Sequence, residues 1–89
     1  MEFDWDEPKR VANLEKHGLD FADVAALAWE TARVLVDDRR DYGEVRYRAV
    51  GLYKGRPHFV AFAIRGQKIR LISFRRANDK EVTLYGEEK

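Results

Sequence analysis

The sequence predicts an α+β domain, with two N-terminal helices packed on an antiparallel β-sheet and a short C-terminal helix. Three observations carry this reading. Apolar residues recur at helical spacing up to Ala28, period-two alternation runs through residues 44–76, and two-residue connections containing glycine interrupt that run twice.

In chain order, "MEFDWD" alternates, with Phe3 and Trp5 on one side and Glu2, Asp4 and Asp6 on the other, so it reads as a short strand or extended lead-in. "DEPKRVANLEKHG" reads as a helix. Asp6 stands at the cap, Pro8 suits the first turn, Val11 and Leu14 share a face, and Lys16-His17-Gly18 closes the C-terminus. A second helix follows Asp20, with Phe21, Val24, Ala25, Leu27 and Ala28 as its apolar stripe. "ARVLVDD" is a strand and "DDRRDYGE" a polar loop. "EVRYRAVGLY" and "RPHFVAFAIR" are joined by Lys54-Gly55, and "KIRLISFRR" follows across Gly66-Gln67. Such connections are strong hairpin signals, because twisted strands favour turns with positive φ. Asn78 caps a last helix, "DKEVTLYG", which Gly86 ends.

Eighty-nine residues, 45% hydrophobic and 37% charged, suit one domain over residues 1–89 with a modest core. Phe3, Trp5, Leu14, Phe21, Leu27, Leu35, Phe62 and Leu71 are its expected members. Cysteine is absent, which excludes disulfides and thiolate metal sites. No apolar run approaches the roughly 18 residues of a membrane span, and the acidic start is unlike a secretory leader, so a cytoplasmic location is expected. The net charge of +1 hides a gradient. Residues 1–45 carry 6 Lys and Arg against 12 Asp and Glu, whereas residues 46–89 carry 11 against 4. A basic face for an anionic ligand and a self-neutralising fold both fit that asymmetry.

The two turns set a register. Arg65 faces Lys68, Ala63 faces Arg70 and Arg46, Ala61 faces Ile72 and Arg48, and Phe59 faces Phe74 and Val50. One face then carries Val45, Tyr47, Ala49, Val60, Phe62, Ile64, Ile69 and Leu71 as core. The other gathers Arg46, Arg48, Arg65, Lys68 and Arg70 around Ala61 and Ala63. Like charges at neighbouring cross-strand positions destabilise a sheet, so their grouping points to an anionic ligand. The alternative is that Asp37, Asp38, Asp41 and Glu44 neutralise them. In this register Arg75 falls on the opposite side, near His58 and Ser73, unless a bulge at Phe74-Arg75 re-aims it.

Neither His17 nor His58 has partners at metal-ligand spacing, so no cofactor is expected, and no Ser/His/Asp set is legible. His17 reads most simply as a residue of the helix C-terminus. RNA cleavage needs none of these parts, because the 2′-OH is the nucleophile. The protein then supplies positioning, proton transfer and stabilisation of charge on phosphorus, and arginine suits that last task.

The whole chain resembles the BrnT family of type II toxins. Trp5, Asp6, Lys9, Asn13 and Lys16-His17-Gly18, followed by Phe21, match its N-terminal signature. Glu44, Arg46 and Gly51 match a second block, and Arg70, Ile72, Ser73, Arg75, Ala77, Glu81 and Tyr85 a third. The resemblance implies a RelE-like fold and a metal-independent endoribonuclease that arrests translation. It also implies neutralisation by a BrnA-like ribbon-helix-helix antitoxin, with operator DNA bound only through the toxin–antitoxin complex. It carries over Arg70, Arg75, Glu81 and Tyr85 as catalytic residues, to which the register adds Arg65 and Arg76. Arg46, Arg48, Lys68 and Lys80 are the expected RNA-binding residues. The competing reading is a non-catalytic basic module that binds RNA or an acidic partner protein.

Overall fold

A computed structural model describes residues 2–86. Strand β1 (Glu2–Asp4) leads into helix α1 (Glu7–His17), and two 3₁₀ segments follow at Phe21–Ala26 and Trp29–Thr31. Strands β2 (Arg33–Asp37), β3 (Arg46–Tyr53), β4 (Arg56–Arg65) and β5 (Lys68–Arg76) and helix α2 (Asp79–Gly86) complete the order. The five strands form one sheet in the order β1-β5-β4-β3-β2. Among the described residues no helix is long and apolar enough to cross a membrane.

Three expectations need correction. The second N-terminal helix is not an α-helix. Its buried residues are Phe21, Val24 and Leu27, spaced by three, with Ala25 exposed. That is the period of a 3₁₀ helix, whose i and i+3 side chains eclipse and so face the sheet together. The segment stops when the Ala28 N–H leaves it to bond the Leu52 carbonyl on β3. The sheet is mixed rather than antiparallel, because β1 pairs parallel with β5, Phe3 beside Ile69. The long connection through α1 and the 3₁₀ segments makes no demand on the direction of β1.

The third correction is the register of β5. The pairs Arg65–Lys68, Ala63–Arg70 and Phe62–Leu71 hold near the turn, but then Ala61 meets Ser73 and Phe59 meets Arg75. Ile72 is the extra residue of a β-bulge, not the partner of Ala61. The bulge therefore lies before the Phe74-Arg75 pair and reverses the sides of everything after it. Phe74 turns into the core and Arg75 joins the basic face.

The core sits between the 3₁₀ segments and one face of the sheet. Phe21, Val24 and Leu27 pack on Ala49, Val60, Phe62, Leu71 and Phe74, with Phe3, Trp5 and Trp29 around them. Gly51 lies beneath this cover, where a Cβ would come within 2.9 Å of the Ala32 Cβ. Val45 and Ile64, expected in the core, are exposed at the turn end of the sheet, and Leu14 is exposed on α1. Leu35 pairs with Arg48 and shares the opposite face, half-buried. On that face α2 builds a second, smaller core from Val50, Phe59 and Tyr85, flanked by Leu52, Ala61 and Ala77.

Helix α1 meets β5 through a polar contact. The buried Asn13 amide donates to the Phe74 carbonyl at 2.8 Å, and its oxygen accepts from the Phe74 N–H at 3.1 Å. One side chain thus does what a neighbouring strand would do, satisfying both backbone groups of a buried residue. Arg10 holds the helix from the other side by bonding Glu7 and Asp20.

Candidate functional site

The face opposite the core is basic, as the alternation implies, but its cations are interleaved with acids. Near the β4–β5 turn, Arg65 donates to both oxygens of Glu44 at 3.3 and 3.1 Å. Arg46 lies 3.5 Å from the same carboxylate, with its guanidinium 4.4 Å from the centre of the Tyr42 ring. Arg70 bonds Asp4 at 3.1 Å, a contact made possible by the parallel pairing of β1. Lys68 is exposed at the start of β5. At the far edge Asp37 is buried and accepts two bonds from Arg39 at 2.7 and 2.8 Å. These bonds, against the effect of burial, hold the Asp37 carboxyl well below the usual carboxylate range. Of the acids expected to neutralise the face, Glu44 does so, while Asp37 is taken up by Arg39 and Tyr42 of the loop and Asp41 accepts from the Gly43 N–H.

The centre of the face is organised by Arg75 and Glu81. Arg75 donates in parallel to the two Glu81 oxygens at 2.8 and 2.9 Å, while its guanidinium lies over Phe59, 4.1 Å from the ring centre. Such a fork-to-fork bond on an aromatic floor fixes a guanidinium in both position and plane. Glu81 also accepts from the Asn78 N–H and donates its own N–H to the Asn78 side chain, a reciprocal cap at the start of α2. Burial pushes the Glu81 pKa up, but the Arg75 bonds, the Asn78 N–H and the charges of Arg75 and Arg39 outweigh it, leaving it below its ordinary value.

Beside this pair a groove of about 470 Å³ opens between β3 and α2, lined by Arg39, Arg48, Asn78, Lys80, Glu81 and Leu84. Arg48 differs from the arginines around it. Like those of Arg46 and Arg70 its Nε is buried without a hydrogen-bond partner, but unlike them it pairs with no carboxylate among the described residues. Lys80 is exposed at the rim. The groove thus offers cations not already engaged, next to one held rigidly.

The expected site residues divide accordingly. Arg48, Lys80 and Glu81 line the groove, and Arg75 joins them through Glu81. Arg46, Arg65, Lys68 and Arg70 lie on the same face toward the β4–β5 turn. Arg76 stands opposite His58 on the core side and lines a different cavity with Lys54 and Arg56. Tyr85 is buried against Val50 and Phe59 beneath α2. Arg39 escaped the sequence reading because it sits in the irregular "DDRRDYGE" loop, where no periodicity assigns a direction.

A model of the family described as ribonuclease toxin, BrnT, of type II toxin-antitoxin system matches residues 5–81, nearly all of this architecture and every residue of the groove except Leu84. A comparison with curated proteins returns no match.

Proposed function

Because the chain belongs to the BrnT family of ribonuclease toxins of type II toxin–antitoxin systems, we propose that it cleaves RNA without a metal ion, with the scissile phosphate seated in the groove between β3 and α2. The family implies an RNA substrate and an antitoxin partner. The observation that carries the placement is the combination of the partner-free Arg48 with the immobilised Arg75 at one groove.

In this mechanism the substrate 2′-OH loses its proton and attacks phosphorus. The new P–O bond closes a 2′,3′-cyclic phosphate as the bond from phosphorus to the 5′-oxygen breaks, and that oxygen leaves with a proton relayed through water from the 2′-OH. Arg48 and Lys80 bind the nonbridging oxygens, and Arg75 adds charge that Glu81 keeps in position. Preorganised cations suit the step, since they need no rearrangement as charge builds on phosphorus. Glu81 acts as a positioning residue for Arg75, and Tyr85 anchors α2. Arg46, Arg65, Lys68 and Arg70 extend the cationic track for flanking nucleotides. Arg76 lies on the other face and has no part in this step. The reading includes a RelE-like fold, arrest of translation in the cytoplasm, and neutralisation by a BrnA-like ribbon-helix-helix antitoxin whose complex binds operator DNA. These rest on the match of all three sequence blocks.

One observation favours binding without cleavage: Arg46, Arg65, Arg70 and Arg75 each already engage a carboxylate. The test is labelled RNA incubated with the protein and a chelator, beside the Arg48→Ala/Lys80→Ala variant. Wild-type cleavage leaving 2′,3′-cyclic ends, lost in the variant, is the expected result. Equal cleavage by both would remove the groove from the mechanism, and salt-sensitive binding without turnover would establish the non-catalytic module.

A further inference from the structure

Helix α1 is turned the opposite way from an ordinary amphipathic helix. Its apolar Val11 and Leu14 are 41% and 39% exposed, while Asn13 is buried and Arg10 and His17 are half-buried. The residues Lys9, Ala12, Asn13, Lys16 and His17 recur at i, i+3, i+4, i+7 and i+8, the spacing that normally carries a core-facing apolar stripe. Here that stripe is polar, and it lines a cavity of about 290 Å³ against Ile72 and Ser73 of β5. Ile72 is the bulge residue, so the irregularity that re-aims Arg75 also shapes this cavity.

The electrostatics are one-sided. Two lysines and a histidine line the cavity and no carboxylate does, whereas the groove at α2 contains Glu81 and the cavity beside His58 contains Asp23. Of the acids on and beside α1, Glu7 and Asp20 are held by Arg10, and Asp6 and Glu15 are exposed and outside the lining. Lys9 and Lys16 have no ion pair among the described residues. Burial and the charges of Lys16 and Arg75 hold the His17 imidazole below its ordinary pKa, and Ser73 of the lining stands two residues from Arg75 on β5. The Asn13 bonds to Phe74 hold the two walls together.

We infer that the α1–β5 seam is a second phosphate-binding subsite for the RNA substrate, in which Lys9 and Lys16, with His17 and Ser73, hold a backbone phosphate flanking the one that is cleaved. The inference rests on the proposed ribonuclease reading and extends it. A strand of RNA crossing β5 at Arg75 has a cationic, acid-free cavity on one side and the cleavage groove on the other. The lining offers hydrogen-bond donors around a single concavity, which suits a phosphate better than an apolar or mixed peptide segment.

The test compares wild type with Lys9→Ala/Lys16→Ala, using a single-stranded oligoribonucleotide and a dinucleoside monophosphate as substrates. Binding is measured with the 2′-deoxy oligonucleotide across a range of salt. The variant is expected to lower the slope of log affinity against log salt by about 0.7, the contribution of one neutralised phosphate on a single strand. It should also lose cleavage in proportion to substrate length, with a several-fold larger drop on the oligonucleotide than on the dinucleotide. An unchanged slope with unchanged cleavage overturns the subsite. An equal loss on both substrates makes the seam part of the catalytic centre instead, and loss of antitoxin affinity with RNA binding intact reassigns it to an acidic protein segment. Failure of wild type to cleave or bind any RNA would instead strike the ribonuclease reading itself.

Discussion

The two faces of the sheet are built on different principles. On one, Phe21, Val24 and Leu27 close over Val60, Leu71 and Phe74, and stability comes from area removed from water. On the other, arginines surround a small apolar centre, and each of several is matched to a carboxylate from another element: Glu44, Asp4, Asp37 or Glu81. A hydrophobic contact has no alternative partner to exchange for. An ion pair does, because a phosphate can replace the carboxylate. The second face therefore holds together in the absence of ligand and remains open to one.

This contrast can be tested by substitution, beginning where the largest effect is expected. Phe74→Ala empties a fully buried core site and should cost about 3–5 kcal/mol in denaturant unfolding. A loss below about 1 kcal/mol would mean that the core face is not the stabilising one. Asn13→Ala strands the Phe74 N–H and carbonyl and should cost on the order of 2–3 kcal/mol. Its signature is faster hydrogen exchange at the α1–β5 seam.

Glu81→Ala removes the carboxylate half of the α2 cap and the anchor of Arg75, with an expected loss of roughly 2 kcal/mol and a clear fall in RNA cleavage. Retained cleavage would show that Arg75 needs no positioning. Arg65→Ala breaks an exposed pair and should leave the denaturation midpoint almost unchanged, since such pairs are screened by solvent. Measurement of a core-sized loss there would erase the distinction between the faces. Acid should act on the charged face first. Glu81 and Asp37 have folded pKa values below their ordinary 4.5 and 3.8, so their contribution is present above those values and is lost as pH falls through the depressed ones. Stability measured from pH 7 to pH 2 should decline below about pH 4, with a shallower decline in Asp37→Asn.

Much of the fold was legible. Element order, both hairpin turns and the Asn78 cap followed from period-two alternation and from residues with narrow conformational preferences. The 3₁₀ segments were misjudged because alanines filled the gaps between Phe21, Val24 and Leu27 and made a period of three look like 3.6. The parallel pairing of β1 depends on contacts far apart in sequence, which local patterns do not record. The site was half-legible for the same reason. Alternation put Arg46, Arg48 and Arg70 on one face, but Arg75 could be placed only by knowing that Ile72 bulges, and an extra residue leaves the alternation on either side of it intact. Glu44 was within reach as a partner for the arginines, but Asp4 was not, since Asp4 and Arg70 meet only through the β1–β5 pairing.

The bulge at Ile72 has a consequence for how this chain tolerates change. Strand β5 is read in two frames, one before Ile72 and one after, and the extra residue between them is what puts their alternation out of step. Deleting that one residue would let Ser73 follow Leu71 in an unbroken ladder, with Phe74 still in the core and Arg75 still on the basic face, whereas flattening the bulge with Ile72 retained would exchange inside for outside from Ser73 to Arg76. Ile72 is therefore the one position of β5 whose loss the pairing can absorb, while a deletion on either side of it would have to be compensated there.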